Sequence, residues 1–223
     1  MLRKLIGDGH YPAGTRLAEI PVAAALGVSR TPVRLAFRTL AQEGLLQPGA
    51  KRGFVVRRFS ADDVRCAVEV RGALEGLAAR RLAERGLSPA QRDTLEHCLV
   101  EGEAVLERGR LSDADIGRWS RLNRSFHDTL VHGAGSQVLV DAIARNSHLP
   151  FASAGSITVD KGALAGEHRK LQLAQLQHRL IVDALGAGES ARAEALVREH
   201  ANIGVRYGPL FGLQAQPKAG VAG

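Results

Sequence analysis

Three histidines and one asparagine have the spacing of a metal site. Asn123 and His127 lie four residues apart, so on a helix they share one face and are separated by one turn. His178 and His200 lie at equal distances from a turn predicted at residues 186–190, and an antiparallel helical hairpin would bring them level. Three imidazoles and an oxygen ligand suit zinc, nickel or manganese, with positions left open for a further ligand. The spacing predicts a divalent-metal site, with zinc as the first candidate; histidines that only pack in a core are the alternative.

Arginines recur every four residues in a different part of the chain, at Arg30, Arg34 and Arg38. On a helix they would form a row that can enter the major groove of DNA and donate bidentate hydrogen bonds to guanine. Residues 1–58 hold ten Lys and Arg against three Asp and Glu, whereas residues 59–223 hold twenty of each, so the net charge of +7 belongs to the first segment. This distribution indicates a polyanionic partner, although a solvated basic surface without a partner is the alternative.

The first segment has the elements of a winged helix-turn-helix, which we assign to residues 1–58. Short helices are predicted at Glu19–Leu26 and at residues 29–43, with a turn at Gly27 and with the Ser29 hydroxyl as N-cap acceptor. Strands are predicted at residues 45–46 and 54–56. The loop between these strands carries Lys51 and Arg52, which could reach phosphate or the minor groove.

The second segment, residues 59–207, is predicted to be an all-helical antiparallel bundle. Serines at helix starts and glycines at helix ends divide it into about six helices, and residues 208–223 are expected to be a disordered tail. Arg71 lies on a helix expected to line the bundle. A partly buried arginine needs an anion, which could be a small carboxylate bound at the metal or, equally, Glu75 or another acid.

Several classes of protein are excluded or disfavoured. The sequence has no apolar run near twenty residues and no signal peptide, and its two cysteines are far apart, so we expect a cytoplasmic protein without a membrane segment or disulfide framework. No HExxH string and no general base at motif spacing accompany His127, so an enzyme is not expected.

Four strings in the first segment together resemble the GntR family of bacterial transcription regulators: PAGTRL at 12–17, LGVSRTPVR at 26–34, LAQEGL at 40–45 and GFVV at 53–56. The resemblance implies a dimeric, repressor-type DNA-binding domain. It places Ser29, Arg30, Thr31 and Arg34 on the operator and Gly53 in the wing.

The second segment, with Arg71 and Glu75 on its first helix, resembles the FCD ligand-binding domain of the FadR subfamily. That resemblance implies a divalent metal held by Asp or Asn and three His. The ligand would here be Asn123, whose neutral amide binds metal more weakly than a carboxylate does.

These observations predict a mainly α-helical homodimeric regulator that binds double-stranded operator DNA. A small organic acid at the metal would change operator affinity. The alternatives are a metal sensor in which the metal is itself the effector, a metallohydrolase with a regulatory head, and a non-specific DNA-packaging protein.

Overall fold

The computed structural model describes residues 1–7, 9–49, 53–149, 159 and 162–205. Nine α-helices, three short strands and one 3-10 helix are found in these residues. In chain order they are α1 Leu2–Gly7, β1 Arg16–Leu17, α2 Glu19–Leu26, α3 Arg30–Gln42, β2 Leu46–Pro48, β3 Phe54–Val56, α4 Ala61–Arg85, α5 Pro89–Leu106, α6 Asp113–Gly133, α7 Gln137–Ser147, α8 Leu164–Gly186, α9 Ser190–His200 and the 3-10 helix Ala201–Gly204. The chain divides into two compact units, and the division falls between Cys66 and Ala67, inside α4.

The first unit packs α1–α3 against a three-stranded antiparallel sheet of order β1-β3-β2. One apolar cluster unites these elements, and Phe37 at 1% exposure lies in it together with Val33 and Leu40 from the same face of α3. Because these positions recur with helical spacing, α3 buries one stripe and leaves the arginine row on another face. The predicted winged helix-turn-helix is thus present in the described residues.

Two details of this unit differ from the prediction. The strand β1 was not predicted, since two residues carry no period of their own; it exists because Arg16 and Leu17 pair with Val55 and Phe54. Ser29 does occupy the N-cap position of α3, but its side chain makes no capping hydrogen bond. The predicted cap interaction is therefore wrong, and the Ser29 hydroxyl is exposed.

The helical unit begins with well-formed caps. Ser88 and Ser112 each form a reciprocal capping box, with Gln91 and Asp115 respectively, which satisfies backbone N–H groups at the starts of α5 and α6. The main core cluster draws residues from α4, α5, α6, α8 and α9, including Leu82, Phe126 and Ile181, each at 0% exposure. The described residues of this unit contain no strand, as predicted.

Helices α4 and α9 approach each other closely through two glycines. A Cβ atom at Gly72 would lie 3.0 Å from the Cβ of Ala201, and one at Gly76 would lie 3.1 Å from the carbonyl oxygen of Glu194. The missing side chains let the two backbones come together, which brings Arg71 and its neighbours on α4 beside the end of α9.

The last helix is shorter than predicted. We expected it to run from Ser190 to about Val205, but α9 ends at His200 and the chain tightens into a 3-10 turn at Ala201–Gly204. The predicted disordered tail, residues 208–223, lies outside the described residues. Within the part of the chain that the structure describes, no helix is both long and apolar enough to cross a bilayer.

Candidate metal centre and nucleic-acid interface

Three imidazoles from three helices meet in the core of the helical unit. His127 comes from α6, His178 from α8 and His200 from the last position of α9, and each is at most 4% exposed. One ring nitrogen from each can be chosen so that all three lie within 4.8 Å of one another. The Nε2 atoms of His178 and His200 are 3.1 Å apart. The helical hairpin of α8 and α9 thus brings level the two histidines that the sequence places symmetrically about its turn.

Two neighbouring side chains orient the rings. The carboxylate of Glu75 accepts a hydrogen bond from Nδ1 of His127 at 2.9 Å, and the amide oxygen of Gln177 accepts one from Nδ1 of His200, also at 2.9 Å. With the proton on Nδ1, a neutral ring carries its lone pair on Nε2. Glu75 and Gln177 therefore leave Nε2 of His127 and of His200 able to bind a cation. Metal-bound histidines usually donate their other ring N–H to such an acceptor.

The third ring is held by packing. His178 stacks on Phe126, with ring centroids 4.0 Å apart and planes inclined by 23°. Trp119 lies nearly parallel to the ring of His178, with centroids 6.0 Å apart and an interplanar angle of 10°. The Nε1–H of Trp119 donates to Gln175. Aromatic surfaces of this kind restrict rotation of the imidazole, so all three rings are held in place.

Burial disfavours protonation of two of the three imidazoles. Burial holds the pKa of His178 well below its usual range, and the charge of His127 lowers it further. Burial likewise holds the pKa of His200 well below its usual range, assisted by His178, His127 and Arg71. Burial opposes ionisation of Glu75, but the charge and hydrogen bond of His127 outweigh it, so the pKa of Glu75 is lowered. Burial therefore favours the neutral form of His178 and His200, and the neutral imidazole is the form that binds a divalent cation.

Arg71 and Asn123 lie where the sequence analysis expects them, on α4 and α6. Asn123 is buried at 3% exposure, one helical turn before His127. Arg71 is 8% exposed, and its Nη2 donates to the carbonyl oxygen of Ala201 at 2.8 Å. Glu75 binds His127 rather than forming the alternative ion pair with Arg71, and the Nε of Arg71 has no hydrogen-bond partner in the described part of the chain.

Five of the residues predicted to contact DNA are exposed at the start or along one face of α3, namely Ser29, Arg30, Thr31, Arg34 and Arg38. Lys51 and Arg52, the predicted tip of the wing, lie outside the described residues. Gly53 has φ +120, and a Cβ there would lie 2.7 Å from the carbonyl oxygen of Leu17. The backbone of the wing can therefore approach β1 only through a glycine.

A carboxylate from α2 holds two members of the arginine row. Oε1 and Oε2 of Glu19 accept hydrogen bonds from Nε and Nη2 of Arg34 at 2.9 and 3.1 Å. Oε2 of Glu19 also lies 3.4 Å from Nη2 of Arg30. The hydrogen bonds with Arg34 lower the pKa of Glu19, and Arg30 contributes less to the same shift.

Sequence reasoning assigned no role to Glu19 or Gln177, and it considered Glu75 only as a partner of Arg71. Gln177 could have been suspected because it precedes His178 directly, but adjacent residues on a helix point in different directions. Glu75 and His127 are 52 residues apart, and no local pattern joins them.

Comparison with known proteins identifies both units. Residues 1–56 match the family described as bacterial regulatory proteins, gntR family, and residues 66–202 match the FCD domain. A protein of Paenarthrobacter nicotinovorans named "Probable D-xylose utilization operon transcriptional repressor" is 34% identical over 197 residues, covering 87% of this chain and 80% of that protein. The HTH-type transcriptional regulator YdhC of Bacillus subtilis (strain 168) is 31% identical over 173 residues, with coverage of 76% and 75%.

The fold has solved counterparts as well. The structure of E. coli McbR/YncC superposes with a TM-score of 0.59 at 22% identity, and the match covers 94% of each chain. The sequence relatives are transcription regulators, not enzymes, so the metallohydrolase alternative has no support among them. The chain belongs to the GntR family of bacterial regulatory proteins and is a DNA-binding transcription regulator of the FadR type, with a winged helix-turn-helix followed by an FCD domain.

Proposed function

We propose that this protein is a dimeric repressor, acting on operator DNA in the cytoplasm, whose affinity for the operator is set by a small organic acid bound at a divalent metal. His127, His178 and His200 supply imidazole ligands, and Asn123 supplies an amide oxygen. Zinc is the first candidate for the metal, with nickel and manganese as alternatives. The repressor name of the Paenarthrobacter relative supports the direction of regulation.

The observation that carries the proposal is the convergence of three buried imidazoles. Ring nitrogens within 4.8 Å of one another, with lone pairs oriented by Glu75 and Gln177, fit a cation better than they fit ordinary core packing. Two Nε2 atoms at 3.1 Å can share one proton or can both face a metal ion. When bound, the metal would supply Lewis acidity and open coordination positions for a carboxylate oxygen.

Arg71 supports an anionic effector. This cation is buried, and it lies close to the triad because its Nη2 contacts Ala201, the residue that follows His200. Its Nη2 is engaged by a backbone carbonyl and not by an acid. A carboxylate at the metal would give the guanidinium the charged partner that buried arginines require.

In the DNA-binding unit, Arg30, Arg34 and Arg38 read bases in the major groove, and Ser29 and Thr31 contact the backbone beside them. Their exposure on α3 supports this assignment. Lys51, Arg52 and Gly53 form the wing contact. A ligand acts on this unit only if it binds two conformations of the dimer with different affinities. The two conformations would differ in the spacing of the two copies of α3, the recognition helices.

Metal analysis and native mass spectrometry of protein purified without chelators test the first half of the proposal. We expect one metal per chain, a dimer and a co-purified acid. His200→Ala should abolish metal binding, whereas His97→Ala, which changes an exposed histidine of α5, should not.

Calorimetry with a panel of small carboxylates tests the second half. Metal-loaded protein should bind at least one acid, and Arg71→Ala should weaken that binding by roughly tenfold or more, because a hydrogen bond to a charged group is lost. An operator can be selected from a random duplex library, and the acid should change its affinity. If no carboxylate binds, the effector class is wrong; if chelation alone changes operator affinity, the metal itself is the effector.

A further inference from the structure

Glu19 is the first residue of α2, and it contacts the recognition helix at two points. Its two carboxylate oxygens bind Nε and Nη2 of Arg34, and Arg30 lies within reach of one of them. Arg38, the third member of the row, has no ion-pair partner in the described residues. Of the three arginines, Arg34 thus makes the two shorter contacts with Glu19, and Arg30 makes one longer contact.

The geometry of this contact leaves the useful end of Arg34 free. A guanidinium has five N–H donors in a plane, and Glu19 takes the Nε–H and one N–H of Nη2. The remaining donors, on Nη1 and on the far side of Nη2, form the terminal fork. That fork presents two parallel N–H donors, which can bind O6 and N7 of one guanine.

Stability is a poor explanation for the pair. The Glu19 side chain is 27% exposed and that of Arg34 is 48% exposed. An ion pair so open to solvent contributes little to folding, and salt weakens it further. Holding a flexible side chain in one orientation before DNA arrives is a different benefit, because the ordering cost is then not incurred on binding.

We propose that Glu19 is a positioning residue that aligns the terminal fork of Arg34 with a guanine and so determines specificity without touching the DNA. This inference rests on the proposed base-reading role of Arg34. The charge of Glu19 has a second consequence. A carboxylate beside the recognition helix repels phosphate, so it lowers affinity for every sequence while raising discrimination at one base pair.

The test uses the full-length protein, an operator selected from a random duplex library, and the three single-base replacements at the position that Arg34→Ala renders indifferent. Glu19→Gln removes the charge and one acceptor. Glu19→Asp keeps the charge but is one methylene shorter, so it cannot hold both donors. Asp62→Asn is the matched control, since it removes an exposed carboxylate from the same unit, 83% exposed, that binds Arg65 and not Arg34.

A bidentate contact discriminates between bases by about 5- to 150-fold. We expect Glu19→Gln to lose a large part of that ratio while its affinity for unrelated DNA rises about two- to threefold. Glu19→Asp should lose the ratio without that rise, and Asp62→Asn should keep the ratio. The melting temperature of all three should stay close to that of the wild type.

Two outcomes would overturn the inference. If Glu19→Gln and Asp62→Asn strengthen binding to all sequences alike and leave the ratio intact, Glu19 acts through charge alone. If Arg34→Ala relaxes no base position, Arg34 reads no base, and the proposed contact fails together with the role of Glu19.

Discussion

In the DNA-binding unit, Glu19 holds the guanidinium of Arg34 on a surface open to solvent. In the helical unit, Glu75 holds the imidazole of His127 where the two side chains are only 3% and 5% exposed. Under the proposed function, each carboxylate orients a nitrogen group for a partner of another kind, a base for Arg34 or a cation for His127. The difference is the surrounding medium, since an unpaired charge is tolerated in water and is costly in a core.

We expect function and stability to be coupled at the buried pair and independent at the exposed pair. A change at the exposed pair should alter recognition and leave the fold intact. A change at the buried pair should alter both, because the group left behind is removed from water as well as from its partner.

Removing the buried carboxylate should give the largest effect. Glu75→Ala leaves Nδ1 of His127 without its acceptor, so metal affinity should fall by about 10- to 100-fold and the free energy of unfolding by roughly 1.5–3 kcal/mol. Glu75→Gln keeps an acceptor and loses the charge, so it should fall between Glu75→Ala and the wild type. Metal titration and denaturant unfolding measure the two quantities, and equal affinity in all three proteins would contradict the role of Glu75.

Acidification should weaken the metal-free helical unit before it affects the Glu19–Arg34 pair. Burial holds the pKa values of His178 and His200 well below 6.5, so between those values and about 6.5 the unfolded chain binds more protons than the folded one. Above about pH 6.5 this cost is absent. As the pH drops below that value, the free energy of unfolding falls by about 1.4 kcal/mol per pH unit for each such histidine. Unfolding measured from pH 7.5 to 5 would show the loss.

The exposed pair responds to pH with the same sign but in a lower pH range. The pKa of Glu19 is lowered, so the contribution of its pairing is complete above about 4.5 and is lost only as the pH falls through the lower folded value. Base discrimination by Arg34 should therefore stay constant from pH 7.5 to 5. A loss of discrimination in parallel with unfolding would erase the contrast between the two units.

The amide behind His200 should matter less than the carboxylate behind His127. Gln177→Leu removes a neutral acceptor, and a neutral hydrogen bond contributes about 0.5–1.5 kcal/mol, so metal affinity should fall by less than about tenfold. The control is Leu176→Ala, which changes the preceding residue of α8, exposed at 53%. A loss as large as that of Glu75→Ala would mean that charge is not what distinguishes the two partners.

The sequence predicts the elements of this molecule well. Both helices of the helix-turn-helix, the serines that cap α5 and α6, and the all-helical second unit follow from local patterns. The end of α9 is less predictable, because Ala201, the residue that follows its last position, is of the strongest helix-forming type. The tightening there coincides with the hydrogen bond from Arg71 to Ala201.

Features with a period or a symmetry can be read from the sequence: the arginine row on one face of α3, and the equal distances of His178 and His200 from their turn. The partners Glu19, Glu75 and Gln177 become visible only in the folded chain. The contacts of Glu19 and Glu75 join different helices at separations of 15 and 52 residues, and Gln177 reaches His200 across the α8–α9 hairpin. Helical period limits which face a side chain occupies, but packing alone decides which atom of another helix that face meets.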